Sequence, residues 1–112
     1  MAKPPGQALV LVVEPGALGD GVSERLADAR LVTARWPELS STLLARLLPD
    51  AVLVPLMGRE GDAVEMAERL QGLGYRGALW VAVPPLPRPA MVLREIRAAA
   101  PQLEVALLTI GR

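Results

Sequence analysis

The chain contains no cysteine and no histidine. The first absence excludes a disulfide framework and any thiolate metal site. The second removes the commonest metal ligand and the side chain that most often moves protons at neutral pH. Phenylalanine is missing too, and the aromatic residues are Trp36, Tyr75 and Trp80 alone, so the core must be filled by Leu, Val and Ala. Twelve basic residues balance twelve acidic ones. That leaves no cationic stripe to release counterions from a nucleic-acid backbone, and direct DNA or RNA binding is not expected. Lys3 is the single lysine. The apolar run 8–13 falls far short of the ~20 residues that span a bilayer, and Met1-Ala2-Lys3-Pro4-Pro5 has no secretory apolar core. A cytoplasmic protein without a membrane anchor is the expectation.

What is present is apolar. Hydrophobic residues form 52% of the chain and charged ones 21%, a balance that offers enough burial to offset the entropy of ordering. A length of 112 residues suits one core, so residues 1–112 are read as one α/β domain. No internal repeat, low-complexity tract or interdomain linker interrupts it.

Runs of β-branched and aliphatic residues mark five strands, each apolar along its length as expected for a parallel sheet covered on both faces. The first covers 8–13 and stops at Glu14-Pro15-Gly16. A glycine-rich turn (Gly16, Gly19, Gly21) leads to a short helix over 22–29. The second strand is Leu31-Val32-Thr33-Ala34, after which Trp36-Pro37-Glu38 opens a helix with proline in its first turn, where a missing N–H costs nothing. That helix carries Leu39, Leu43, Leu44, Leu47 and Leu48 and ends before Pro49-Asp50. Ala51-Val52-Leu53-Val54 is the third strand. A loop over 55–62 then feeds a helix from about 63 to 73, with Val64, Ala67, Leu70 and Leu73 inward and Gly72 and Gly74 closing it. The fourth strand is 78–83, the stiff proline loop covers 84–89, the fourth helix 90–100 and the fifth strand 103–110. This alternation implies βαβ units with right-handed crossovers.

The stretch Leu31-Val32-Thr33-Ala34-Arg35 through Pro49-Asp50-Ala51-Val52-Leu53-Val54-Pro55-Leu56-Met57 resembles the middle of bacterial response-regulator receiver domains. There a helix closes on a Pro-Asp pair and a buried strand delivers an aspartate. The resemblance implies a flavodoxin-like, doubly wound, five-stranded parallel sheet in the order 2-1-3-4-5. It also implies a chemistry to be checked position by position. Receivers hold Mg²⁺ with an acidic pair after the first strand and phosphorylate an Asp at the tip of the third. They use a Ser or Thr after the fourth strand and a Lys after the fifth, because a hard cation wants oxygen ligands and a transferring phosphoryl group wants a nucleophile and charge compensation. Here Glu14 keeps one carboxylate and Pro15 takes the place of the second. Pro55 stands at the acceptor position with no nucleophile. The hydroxyl position falls at Val83 and Pro84, and no lysine lies near the fifth strand. Two further departures are a short segment after the first strand and the absence of a helix after the fifth. The second leaves sheet surface open, which is expected of an interface or of a domain cut from a longer protein.

These positions also have plainer readings. A single carboxylate beside a proline is a poor Mg²⁺ site, so Glu14 is read first as solvated or near a helix start. Gly16, Gly19 and Gly21 lack both the dinucleotide fingerprint and the Lys-Ser/Thr of a phosphate loop. The charges of Arg59-Glu60-Gly61-Asp62 are read as a solvated loop whose Asp62 caps the third helix. Trp80 is read as core. Trp36, at a strand end, is a candidate interface anchor. Arg94, Arg97, Leu103, Val105 and Leu107 complete the candidate interface, since the fourth helix and fifth strand are the usual signalling and dimerisation surface of the family it resembles. Ser23, Ser40 and Ser41 have no base spaced to activate them, so neither catalysis nor a cofactor or metal is expected.

The expectation is a phosphorylation-independent pseudo-receiver that docks protein partners. A homodimer is expected, and an output domain or regulator is a further candidate partner. The alternative is a nucleotide or small-ligand domain using the carboxyl edge of the sheet, motivated by the loop from Glu14 to Gly21.

Overall fold

Strand β1 (Leu9–Val13) opens the chain's sheet as a run of five aliphatic residues, four of them buried. In the computed structural model, which describes residues 8–18 and 21–110, it lies second in a five-stranded sheet of order β2-β1-β3-β4-β5. The other strands are β2 (Arg30–Ala34), β3 (Ala51–Pro55), β4 (Ala78–Val83) and β5 (Glu104–Thr109). Every pairing is parallel. This is a flavodoxin-like α/β fold. Lys3, Gly19, Gly111, Arg112 and the side chain of Ser23 lie outside the described residues.

The helices are α1 (Val22–Arg25), α2 (Ser41–Leu47), α3 (Ala63–Gly72) and α4 (Pro89–Ala99). None among the described residues is long and apolar enough to cross a membrane. Their placement follows from crossover handedness. The connection β1 to β2 runs one way across the sheet and the next three run the other way, so α2, α3 and α4 cover one face and α1 alone serves the opposite face. Strand alternation divides the core accordingly. Leu11, Val52, Val54, Leu79, Val81 and Val105 pack with Leu44 of α2, Met66 and Leu70 of α3 and Ile96 of α4. Val10, Val12, Ala51 and Leu53 pack instead with Leu18, Val22 and Leu26.

Several elements depart from the sequence expectation. Helix α1 stops at Arg25, four residues short of 29, because Leu26 adopts φ −117° and the helix begins on Gly21, which offers no side-chain cap. No single helix runs from Trp36. Trp36–Glu38 form one 3-10 turn, Leu39 is extended, and Ser40 starts α2 by accepting the Leu43 N–H at 3.0 Å. A serine cap competes well with continued helix, and Leu39 is buried from the loop rather than from a helix. Leu48, expected on the apolar stripe, is instead the left-handed cap of α2 (φ 46°) and is 71% exposed. In α3 the buried set is Ala63, Met66, Ala67 and Leu70, while Val64 and Leu73 are only partly covered. Ala67 and Leu70 are buried as expected, and the buried stripe reaches back to Ala63 and Met66. Gly74, at φ 94°, supplies the left-handed residue after it.

Asp62 caps α3 as expected and does more. Its carboxylate accepts the Glu65 N–H at 2.9 Å, and Glu65 in turn accepts the Asp62 N–H at 3.3 Å, a reciprocal box. Asp62→Ala is expected to cost about 1 kcal/mol in urea unfolding. An unchanged midpoint would show that the box adds nothing.

Candidate functional site

In a parallel sheet all strands end on one side, and ligands of open α/β folds sit in the crevice outside those ends where strand order reverses. Here the reversal lies between β1 and β3. After Val13 the chain turns through Glu14 in a left-handed conformation (φ 54°, ψ 58°), which costs a non-glycine residue about 1 kcal/mol. The turn is held because the Glu14 N–H donates to the Ala34 carbonyl at 2.9 Å and its own carbonyl accepts the Ala17 N–H at 3.0 Å. Pro15 and Gly16 are exposed, and Leu18 folds down onto the sheet.

Pro55 ends β3 fully within the core. Beyond it, the Leu56 N–H continues the ladder to the Ala82 carbonyl (3.1 Å), and the Leu56 carbonyl accepts from Ala63 (2.9 Å). The 55–62 loop is therefore a tight hairpin and not an open arm. Gly58 allows it: a Cβ there would lie 2.8 Å from the Met66 methyl and 2.9 Å from the Gly61 carbonyl oxygen. Val83 is buried, and its carbonyl accepts the Ile110 N–H at 2.8 Å.

Pro55, Val83 and Pro84 meet Leu18, Met57 and Ile110 around a shallow cleft of about 350 Å³. Every described residue lining it has an apolar side chain. Among the described residues it presents no carboxylate, hydroxyl or cationic side chain to a phosphate, and Glu14 and Pro15 do not line it. No cluster of three His, Cys, Asp or Glu among the described residues is arranged to hold a metal ion.

The six candidate interface residues do not form one surface. Leu103 and Val105 are buried in the chain's own core, and Leu107 packs partly against it. They occupy the covered face of β5, so they serve α4 and not a partner. Arg94 and Arg97 are exposed on α4. Trp36 sits at the end of β2, at the opposite edge of the sheet. There it packs partly against the core and carries the Arg69 guanidinium 5.6 Å from its ring centroid. Arg69 also donates from Nη2 to the Leu39 carbonyl at 2.9 Å. The pair clasps α3 to the 3-10 turn.

Trp80 corrects the sequence expectation in the other sense. It is not core but partly buried, because its side of β4 faces away from α2, α3 and α4. On that side Ala78 is partly open, Glu104 and Ala106 are exposed, and Leu108 and Ile110 are half covered. The signal was present: residues 104, 106, 108 and 110 alternate with the buried set, and among the described residues no long helix crosses on that side. The outer edge of β5 is guarded. The Val105 carbonyl accepts from Arg97 Nη2 at 3.2 Å and the Thr109 carbonyl from Arg25 Nη1 at 2.6 Å. Ser40 is consumed as a helix cap, and Ser41 is exposed on α2. No protein-family model matches the chain, and no curated protein matches it.

Proposed function

We propose that the chain is a phosphorylation-independent pseudo-receiver, a cytoplasmic protein-docking module of bacterial signalling or transcriptional control. The observation that carries the reading is Pro55. A buried proline ends β3 where the resemblance calls for the phosphoryl acceptor, and a proline side chain has no oxygen with which to attack phosphorus. The surroundings agree. The described side chains that line the cleft beside it are all apolar, and such side chains offer no ligand to Mg²⁺ and no charge compensation to a phosphoryl group. Docking is supported by the incompletely covered side of β4 and β5, where the apolar Trp80, Leu108 and Ile110 are only half covered.

The test is incubation with acetyl phosphate and Mg²⁺ followed by intact-mass measurement. The unmodified mass is expected at all times. A stoichiometric acid-stable or acyl-phosphate adduct overturns the reading.

A further inference from the structure

The two edges of the sheet are not alike. On β5 the outward carbonyls of Val105 and Thr109 are taken by Arg97 and Arg25. On β2 the Arg30 N–H donates to the Ala8 carbonyl and the Ala34 carbonyl accepts the Glu14 N–H. Successive residues of a strand turn their backbone groups to opposite sides, so Arg30, Val32 and Ala34 bond to β1. Leu31 and Thr33 turn theirs outward, and among the described residues nothing bonds to them there. No proline or lysine blunts β2. Such an edge is a template for another strand.

Beside that edge, between β2 and α2, lies a hollow of about 330 Å³ lined in part by Val32, Leu43, Leu47, Glu38 and Arg46. The three aliphatic side chains are only half covered. Glu38 is engaged, since its carboxylate accepts the Arg35 N–H at 2.7 Å and stands 3.8 Å from Arg35 Nε. Arg46 is exposed and forms no ion pair or hydrogen bond among the described residues. The free charge at the hollow is therefore positive.

We propose that an extended segment of a partner polypeptide adds to β2 as an outer strand, with an apolar side chain in the hollow and a carboxylate against Arg46. Ladder bonds from Leu31 and Thr33 supply affinity, and the hollow with its cation supplies choice. The residue in register with Val32 points to the same side as Val32, over the hollow. The next residue on that side is two places along, so the partner carries its acidic residue two places from its apolar one. A second copy of this chain does not bring these groups. A twofold axis between paired β2 edges sets hollow beside hollow, with both Arg46 residues on one side of the sheet. The proposal goes beyond the docking reading, because it concerns the edge opposite β5 and does not use Pro55.

The probe is a fluorescein-labelled peptide with leucine at its centre, glutamate two places to either side and threonine elsewhere. By anisotropy it is expected to bind the full chain with a Kd of about 100 μM, and the same peptide with lysine for glutamate about tenfold more weakly. Thr33→Pro, at an outward position where an edge strand tolerates proline, is expected to abolish binding with an unchanged circular dichroism spectrum. Arg46→Glu is expected to reverse the preference between the two peptides. No binding of the glutamate peptide at about 1 mM, equal binding of both peptides, or binding that survives Thr33→Pro overturns the proposal. So does a sedimentation dimer that Thr33→Pro turns into a monomer, since the edge then belongs to a second copy. Should Thr33→Pro unfold the chain, Arg46→Glu decides, and a preference it leaves unreversed overturns the strand. A phosphoryl adduct removes the pseudo-receiver reading and leaves this edge untouched, whereas a failed peptide removes the edge alone.

Discussion

Leu70→Ala is expected to lower the unfolding free energy by about 3 to 5 kcal/mol, against no more than about 1 kcal/mol for Leu108→Ala. Leu70 is fully buried where α3 meets the sheet, and its carbonyl also accepts the Tyr75 N–H at 3.1 Å. Truncation there removes three methylene-scale groups and leaves a cavity that rigid neighbours cannot fill. A small domain is stable by only about 5 to 15 kcal/mol, so the substitution removes a large share of the total. Leu108 has the same side chain but lies on the open side of β5, partly exposed. It exchanges little surface when the single chain folds. Urea unfolding of dilute protein measures both, with equal slopes showing that the unfolded states are comparable. Equal losses would mean that the open side of the sheet is as well packed as the covered one. The asymmetric core would then be wrong, and the docking face with it.

The strands were legible because a parallel sheet buries both sides of its central members. Continuous runs such as Val10 to Val13 and Ala51 to Val54 have no other economical home, and β4 falls where its apolar run does. Helix boundaries were less legible where two local signals compete. Pro37 reads as a helix start, but Ser40 three residues on offers the backbone a better one, and the chain takes both as separate turns. In α3 the expected Ala67 and Leu70 are buried, while Ala63 and Met66 join them and Val64 and Leu73 only flank the stripe.

The site was legible as a set of missing groups rather than as a set of contacts. Pro55, Val83 and Pro84 do converge on one cleft, since Pro55 and Val83 end strands on the same side of the sheet and Pro84 follows directly. The interface residues were chosen by element, and an element has two sides. Along β5 the odd-numbered residues Val105 and Leu107 go to the core beneath α4, whereas Leu108 and Ile110 lie on the other side, packed partly against the smaller cluster that α1 serves. Counting crossovers would have told them apart, because right-handed connections send three helices to one side of this strand order and one short helix to the other.

Tyr75, the single tyrosine, is expected to resist ionisation until about pH 12. Its hydroxyl donates to the Ala78 carbonyl at 2.7 Å, and the ring is buried beneath Gly77, where a Cβ would lie 2.6 Å from the phenolic oxygen. Burial is the main reason that the phenol is pushed up, and the negative charges of Asp50 and Glu104 add to it. An unfolded tyrosine ionises near pH 10. Between those values the folded chain holds a proton that the unfolded chain has lost, so stability is whole below about pH 10 and declines as pH rises toward 12. The decline amounts to at most about 2 kcal/mol, reduced from the full two-unit shift because solvent reaches part of the site. With one tyrosine, the tyrosinate absorbance reports this group alone, and Tyr75→Phe supplies the blank. The absorbance should rise near pH 10 in concentrated urea and near pH 12 in water. A midpoint near 10 with the circular dichroism intact would show that the phenol is open to solvent and that the Ala78 bond does not hold it.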